Sequence, residues 1–350
     1  MDQVSLLEGL LRIYSPTGQE DEAVNYLVGQ MREAGLEAFL DAAGNAVGMC
    51  GEGPETVMLL GHIDTVAGFI PVTRGGDKLT GRGAVDAKGP LACFVASAIR
   101  TRQLGEHNGS PLRRRVVVVG AVGEEGDSRG AHYLKDQYRP SFTIIGEPSG
   151  WEKITLGYKG SAWLEYRVRR TLAHTSVKGE SACEAAVGFW NRLTAWASKQ
   201  NRGSQRIFEQ VSPTLRGMSS DSDGFMEGAL LKIGVRLPPG LTVAELCEAL
   251  RGLLDEAELT LLEGVPAYRG EKNTALVRAF LAAIRKAGGR PSFALKTGTS
   301  DMNLVAPVWG TPILAYGPGD SSLDHTPQEH ILVSEYQRAI EVLSTVLLTT

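Results

Sequence analysis

The sequence predicts an α/β protein in which one large sheet-and-helix domain is interrupted by a smaller ferredoxin-like insert. Three observations predict this. Apolar strand segments alternate with helical segments up to about residue 156 and again from Thr274. Those strands end in polar, chemistry-bearing residues rather than containing them. Between them the pattern changes to β-α-β-β-α-β, with strands that alternate apolar and polar residues. A chain of 350 residues is also long for a single core, which suits an interrupted domain.

In order, apolar residues at helical spacing over Val4–Leu11 and Glu20–Ala34 predict two helices, with "YSPTGQEDEA" as the turn into the second. "TVMLLGHID" is a strand ending at Gly61, and "AKGPLACFVASAIRTR" is a helix with Gly89 and Pro90 in its opening turn. "RRRVVVVGAVGEE" gives the next strand from a charged start at Arg113–Arg115; "RGAHYLKDQ" is a helix and "FTIIGEP" a buried strand. In such an alternation the site belongs at the strand ends. "SAWLEYRVRR" alternates, leaving one face wet and one face and edge available for pairing with a second copy. A helix over Ser181–Ala197 follows, then strands near Gln205–Leu215 and Ala229–Arg236, a helix over Val243–Leu254 and a strand at Glu258–Leu262. "PILAYGPG" and a helix at Val333–Leu348 complete the chain. The expected division is therefore 1–156 and 267–350 for the large domain and 157–266 for the insert.

Composition narrows the chemistry. A net charge of −4 gives no basic field for nucleic acid. Residues 1–30 lack a signal-peptide pattern, and no apolar run approaches the roughly 20 residues of a membrane span, so a cytoplasmic protein is expected. Cys50, Cys93, Cys183 and Cys247 are isolated, so no thiolate metal site or redox dithiol is indicated. Any metal must be held by histidine and carboxylate.

Such residues sit at the ends of the apolar strands and in the loops near them. "LLGHIDTV" supplies His62 and Asp64, two apart and on one side of an extended segment. "GRGAVDAKG" supplies Asp86, "GEEG" the adjacent Glu124 and Glu125, "IIGEPS" Glu147, and "SSLDHTPQEH" His325. Two neighbouring carboxylates at the mouth of a hydrophobic strand repel one another. Two divalent cations would neutralise them, and a sulfur-free set of imidazoles and carboxylates matches a two-zinc or zinc/cobalt site.

These segments resemble the family of co-catalytic di-zinc amidohydrolases that includes acetylornithine deacetylase, succinyl-diaminopimelate desuccinylase, aminoacylase and glutamate carboxypeptidase, over essentially the whole chain. The resemblance implies a mixed-sheet catalytic domain of di-zinc peptidase type with an inserted lid and dimerisation domain. It implies two Zn2+ per subunit, or Co2+, with Asp86 bridging, His62 and Glu147 completing one site, and Glu125 and His325 the other. Asp64 would hold the His62 ring in its ligating tautomer, and Glu124 would be the general base. His174, in the insert motif "RRTLAHTS", would donate to the oxyanion in the neighbouring subunit's site, which implies a homodimer; the proline usual soon after that histidine is absent, so a structural role stays open.

For the substrate, "LKIGVRLPPG" places Arg236 where family members grip a free α-carboxylate, the alternative being a surface arginine. "LKTGTSDMNLV" adds Gly298, Thr299 and Asp301 to the same pocket, Asp301 as a candidate partner for a basic side chain. "GHIDTVAGFIPV", "LKTGTSDMN" and "AYGPGDSSLDHTPQEHI" are most similar to the branch that hydrolyses LysW-lysine and LysW-ornithine, which implies a small acidic amino-group carrier protein as partner. Arg167, Arg169, Arg170, Lys178 and Arg192 are the candidate basic groups for it. An acetylornithine deacetylase, a desuccinylase, a dipeptidase or a catalytically silent binding relative are the alternatives; the last would have lost a ligand or the base, and all six positions are filled. Lys88 is expected to serve the Asp86 loop structurally or to hydrogen-bond its carboxylate, while His132 and His330 are expected on the surface and His107 in a solvated turn. "GDSRGA" lacks a Walker lysine and does not indicate nucleotide.

Overall fold

The computed structural model describes residues 2–107, 112, 114–174, 176 and 179–349. Arg113 and Lys178 lie outside the described residues. The chain divides into two compact units, one of Met1–Gly157, Gly270–Ala294 and Ser300–Thr350, the other of Tyr158–Arg269 and Leu295–Thr299. Leu295–Thr299 was expected with the large domain but clusters with the insert: the Lys159 amide donates to the Lys296 carbonyl, so this segment is tied to the insert's own backbone.

The first unit is built on a mixed sheet in the order Glu37–Leu40, Ala46–Cys50, Arg115–Ala121, Thr56–His62, Phe142–Gly146, Ile313–Tyr316, Lys153–Tyr158. The four central strands, Arg115–Ala121 to Ile313–Tyr316, run parallel to one another, and antiparallel strands flank them on both sides. The parallel strands are covered on both faces, which is why "VVVV" and "VMLL" are unbroken apolar runs. The helix Lys88–His107 is buried around most of its circumference, because it lies against the sheet, the helix Gln3–Arg12 and the helix Val333–Thr349. Its last residue is His107, which is exposed on the helix rather than held in a turn. Among the described residues no helix is long and apolar enough to cross a membrane.

The hairpin Glu37–Leu40 with Ala46–Cys50 carries no strong sequence signal. It is short, and its turn is set by Asp41, whose carboxylate accepts from the amides of Ala43 and Asn45 at 2.9 and 3.0 Å.

The second unit has a four-stranded antiparallel sheet in the order Ser212–Ser222, Met226–Leu237, Gly160–Thr171, Glu258–Val265, which is the ferredoxin-like order. The helices Ala182–Gln200 and Val243–Arg251 cover one face, where Tyr166 stacks on Phe189 at 4.3 Å. Both helices open with complete capping boxes, Ser181 with Glu184 and Thr242 with Glu245. Two expectations are corrected here. The strand containing "SAWLEYRVRR" is paired along both edges, so the sheet's edges are Ser212–Ser222 and Glu258–Val265. The strand expected from Gln205 begins at Ser212, after a 3-10 turn at Ile207–Glu209. The Lys159 ammonium takes the carbonyls of Ile207 and Gln210, which diverts them from a strand ladder.

Candidate active site

Strand register brings the site together. His62 lies opposite Ala121, and Gly61 lies opposite both Gly120 and Gly146, so three parallel strands end level. Their extensions deliver His62, the Glu124–Glu125 pair and Glu147 to one edge. The turn between Ala121 and Glu124 needs the left-handed backbone of Gly123, at φ 81°.

Asp64 organises that turn. Its carboxylate is 0% exposed and accepts three hydrogen bonds: from the Glu124 amide at 3.0 Å, the Glu125 amide at 3.1 Å and the Thr17 hydroxyl at 2.7 Å. His62 Nδ1 lies 3.0 Å from the Asp64 carbonyl oxygen and 3.6 Å from its carboxylate. A proton on Nδ1 is therefore held by Asp64, and Nε2 is turned toward Asp86.

Asp86 sits between two imidazoles. Its Oδ1 lies 3.3 Å from His62 Nε2 and its Oδ2 lies 2.9 Å from His325 Nε2. His325 Nε2 is also 3.0 Å from Glu125, and Glu124 approaches His62 Nε2 at 3.9 Å. Donor atoms of His62, Asp86 and Glu125 lie within 4.8 Å of one another. Such a convergence of nitrogen and hard oxygen donors, without sulfur, fits a divalent cation of zinc type.

The electrostatics match this crowding. Burial pushes the Glu124 carboxyl well above its ordinary value, and Glu147, Asp301 and Glu125 push the same way against His62. Asp86 is held low: burial opposes this, but hydrogen bonds to His325 and His62 outweigh it. His325 is pushed up to about 10 by its bonds to Asp86 and Glu125, and His62 is raised by Asp64 and Asp86 despite its burial.

The remaining expected residues fall into two places. In the first unit Asp301 is 3% exposed and precedes the helix Met302–Trp309. Burial, with Asp64 adding to it, pushes its carboxyl up to about 7, and Asp301 is felt by Glu124. Gly298 and Thr299 belong to the second unit. In that unit Arg236 donates to Thr299 Oγ1 at 3.2 Å, while Gly298 faces open space. His174 is exposed, and its Nδ1 accepts from the Ser176 amide at 3.2 Å, which leaves the proton on Nε2.

Several supporting residues carry no functional signal of their own. Thr17 is one; Arg82 and Glu329, which bind the Asp86 loop, are others. Arg82 and Glu329 are polar residues inside ligand motifs, and Thr17 stands 47 residues from Asp64. Lys88 does not reach the Asp86 carboxylate: it is buried and donates to the carbonyls of Leu10 and Ile13 at 3.2 and 2.6 Å. His132 is exposed, whereas His330 is half-buried in a short strand. The basic residues considered for a carrier are largely neutralised within the unit, Arg167 by Glu165, Arg169 by Asp223, Arg170 by Glu180 and Arg192 by Asp255.

Comparison with known proteins agrees with this architecture. The chain is 44% identical over 351 residues to LysW-lysine hydrolase of Deinococcus radiodurans, covering 98% of this chain and 95% of that one. The fold superposes on the aminopeptidase PepT of Bacillus cereus with a TM-score of 0.80 at 20% identity, covering 99% and 97% of the two chains. An M20 family metallo-carboxypeptidase of Sulfolobus solfataricus gives 0.77 at 19% identity, with 99% of each chain covered. The profile of peptidase family M20/M25/M40 matches residues 58–349, a span that begins in the His62 strand and contains each of the strand-end and loop residues gathered around Asp86. With that span matched and a full-length relative at this identity, the chain belongs to peptidase family M20/M25/M40.

Proposed function

We propose that this protein is a metal-dependent amidohydrolase that releases lysine, with ornithine as the second amino acid, from a LysW-like acidic carrier protein. The observation that carries the metal and amide chemistry is Asp86, whose two carboxylate oxygens each face a different histidine Nε2, at 3.3 and 2.9 Å. The carrier specificity rests on the 44% identity to a LysW-lysine hydrolase.

In this reading Asp86 would be shared by two cations, preferably Zn2+ and alternatively Co2+, with His62 and Glu147 on one and Glu125 and His325 on the other. Bound there, the cations supply Lewis-acid polarisation of the amide carbonyl and acidify the attacking water. The rest of the chemistry belongs to side chains. Glu124, raised by burial and by its acidic neighbours, accepts the proton of the water that adds to the carbonyl. It returns that proton to the amine nitrogen as the C–N bond breaks. Asp64 fixes the His62 tautomer and the backbone of both glutamates.

His174 has its Nε2 proton available and is assigned the oxyanion donor, supplied by a second copy in a homodimer. The edge strands Ser212–Ser222 and Glu258–Val265 offer backbone for that pairing. Arg236, with Thr299 and the open Gly298, is the site for the α-carboxylate of the released amino acid, and Asp301 is the acidic group for its side chain. The unit of Met1–Gly157, Gly270–Ala294 and Ser300–Thr350 acts as the catalytic domain and that of Tyr158–Arg269 and Leu295–Thr299 as the lid, in a protein acting in the cytoplasm. Elemental analysis tests the metal reading: we expect two equivalents of zinc per chain and loss of activity on chelation. Full activity in metal-free protein would refute it.

A further inference from the structure

Glu329 is 0% exposed, and a carboxylate buried so fully is tolerated only when its oxygens are engaged. Oε1 accepts the amides of Val85 at 2.9 Å and Asp86 at 3.0 Å; Oε2 accepts Arg82 Nη1 at 2.8 Å. Arg82 is buried too, and it donates onward to the carbonyls of Gly68 at 2.9 Å and Thr326 at 3.4 Å. The Glu329 carbonyl in turn accepts the Gly81 amide. The pair thus joins the loop before Asp86 to the segment just after His325. His325 itself has φ 61°, a left-handed conformation that a non-glycine residue keeps only where its surroundings hold it.

We infer that the buried Arg82–Glu329 pair is a positioning element that sets Asp86 and His325 in their mutual geometry before any cation binds. The inference rests on the reading of Asp86 and His325 as metal ligands. Among the described residues, the hydrogen bonds of the Arg82 and Glu329 side chains go to backbone or to each other, which leaves neither aimed at a cation. Their effect on the ligands therefore passes through the Asp86 amide and the Thr326 carbonyl. An outer partner of this kind typically changes metal affinity by about 10–100-fold.

The test uses the full-length protein with Glu329→Gln and Arg82→Lys, and Ile340→Val as a control in the buried core of the C-terminal helix. Zinc affinity is measured by chelator competition, the visible spectrum is recorded with Co2+, and melting of the metal-free protein reports stability. Glu329→Gln keeps an acceptor for the two amides but loses the ion pair; Arg82→Lys keeps the charge but not its reach to Gly68 and Thr326. We expect both to bind zinc about 10–100-fold more weakly and to show an altered Co2+ spectrum, while Ile340→Val lowers melting without changing either. If one variant does not fold, the other decides. Folded Glu329→Gln or Arg82→Lys with wild-type zinc affinity and spectrum would overturn the inference, as would metal loss in Ile340→Val equal to theirs. Failure of both variants to fold would also overturn it, since the pair would then serve the fold as a whole. Failure of the wild type to bind metal would instead refute the underlying ligand assignment.

Discussion

Replacing Asp64 by asparagine probes the hub of the site with an almost isosteric change. The carboxylate accepts three hydrogen bonds, the Glu124 amide on Oδ1 and both the Glu125 amide and Thr17 Oγ1 on Oδ2. Asparagine has one accepting oxygen and one donating NH2 group. Whichever way it turns, one glutamate amide faces a donor. The Thr17 hydroxyl can rotate to accept, but an amide cannot. A buried N–H left without a partner costs about 1–3 kcal/mol, and a charged acceptor is lost besides, so we expect the metal-free protein to lose about 2–3 kcal/mol. Urea unfolding followed by circular dichroism would show this as a lower midpoint at unchanged slope. Thr17→Val removes only one donor and should cost about 1 kcal/mol. Because the Asp64 carboxylate also fixes the Glu125 backbone and stands 3.6 Å from His62 Nδ1, zinc affinity in Asp64→Asn should fall about 10–100-fold. An unchanged unfolding midpoint would refute the hub reading, and unchanged zinc affinity would refute a part for the Asp64 carboxylate in placing the ligands.

Other outcomes follow from the same geometry. Glu124→Gln should retain metal and substrate binding but lose about 10²–10⁴-fold in rate, whereas Glu125→Gln should lose metal; elemental analysis and steady-state kinetics distinguish them. Arg236→Lys should raise KM more than it lowers kcat, because a bidentate fork becomes a single donor beside Thr299. Mixing Glu124→Gln with His174→Ala protein should restore activity to about a quarter of wild type after complete subunit exchange, and none if His174 serves its own subunit. Asp301 binds its proton more tightly when folded, up to about 7, so its contribution to the metal-free protein is complete below its ordinary unfolded value and is lost as pH rises through about 7. Asp301→Asn should flatten the stability profile across that window in chelator-treated denaturation.

The legible parts of the sequence were those in which one physical constraint acts along a continuous segment. The run at Val116–Val119 had to be buried on both faces, and the alternation at Leu164, Tyr166 and Val168 had to cover one core. His62, Asp86, Glu124, Glu125 and His325 stood out because charged groups closing apolar strands, or held in the loops beside them, need a reason. What stayed hidden depends on partners distant in sequence. Glu329 lies 243 residues from the Asp86 amide it holds, and nothing local to "TPQEHI" signals that bond. Thr17 binds Asp64 across 47 residues in the same way. The pairing of the "SAWLEYRVRR" strand on both edges was equally a matter of topology, since alternation reports faces and not edges. Lys88 was drawn to two carbonyls at the end of the first helix because burial demands acceptors, and Leu10 and Ile13 supply them.

The proposed reaction is a metal-dependent hydrolysis that frees lysine from an acidic carrier. Its most direct test is to give the zinc-loaded protein carrier-linked lysine, acetylornithine and succinyl-diaminopimelate separately at equal concentration, and to measure the free amine released with and without chelator. Carrier-linked lysine should be hydrolysed fastest, and chelation should stop it. Faster hydrolysis of either small acyl substrate, or lysine release that survives removal of the metal, would contradict it.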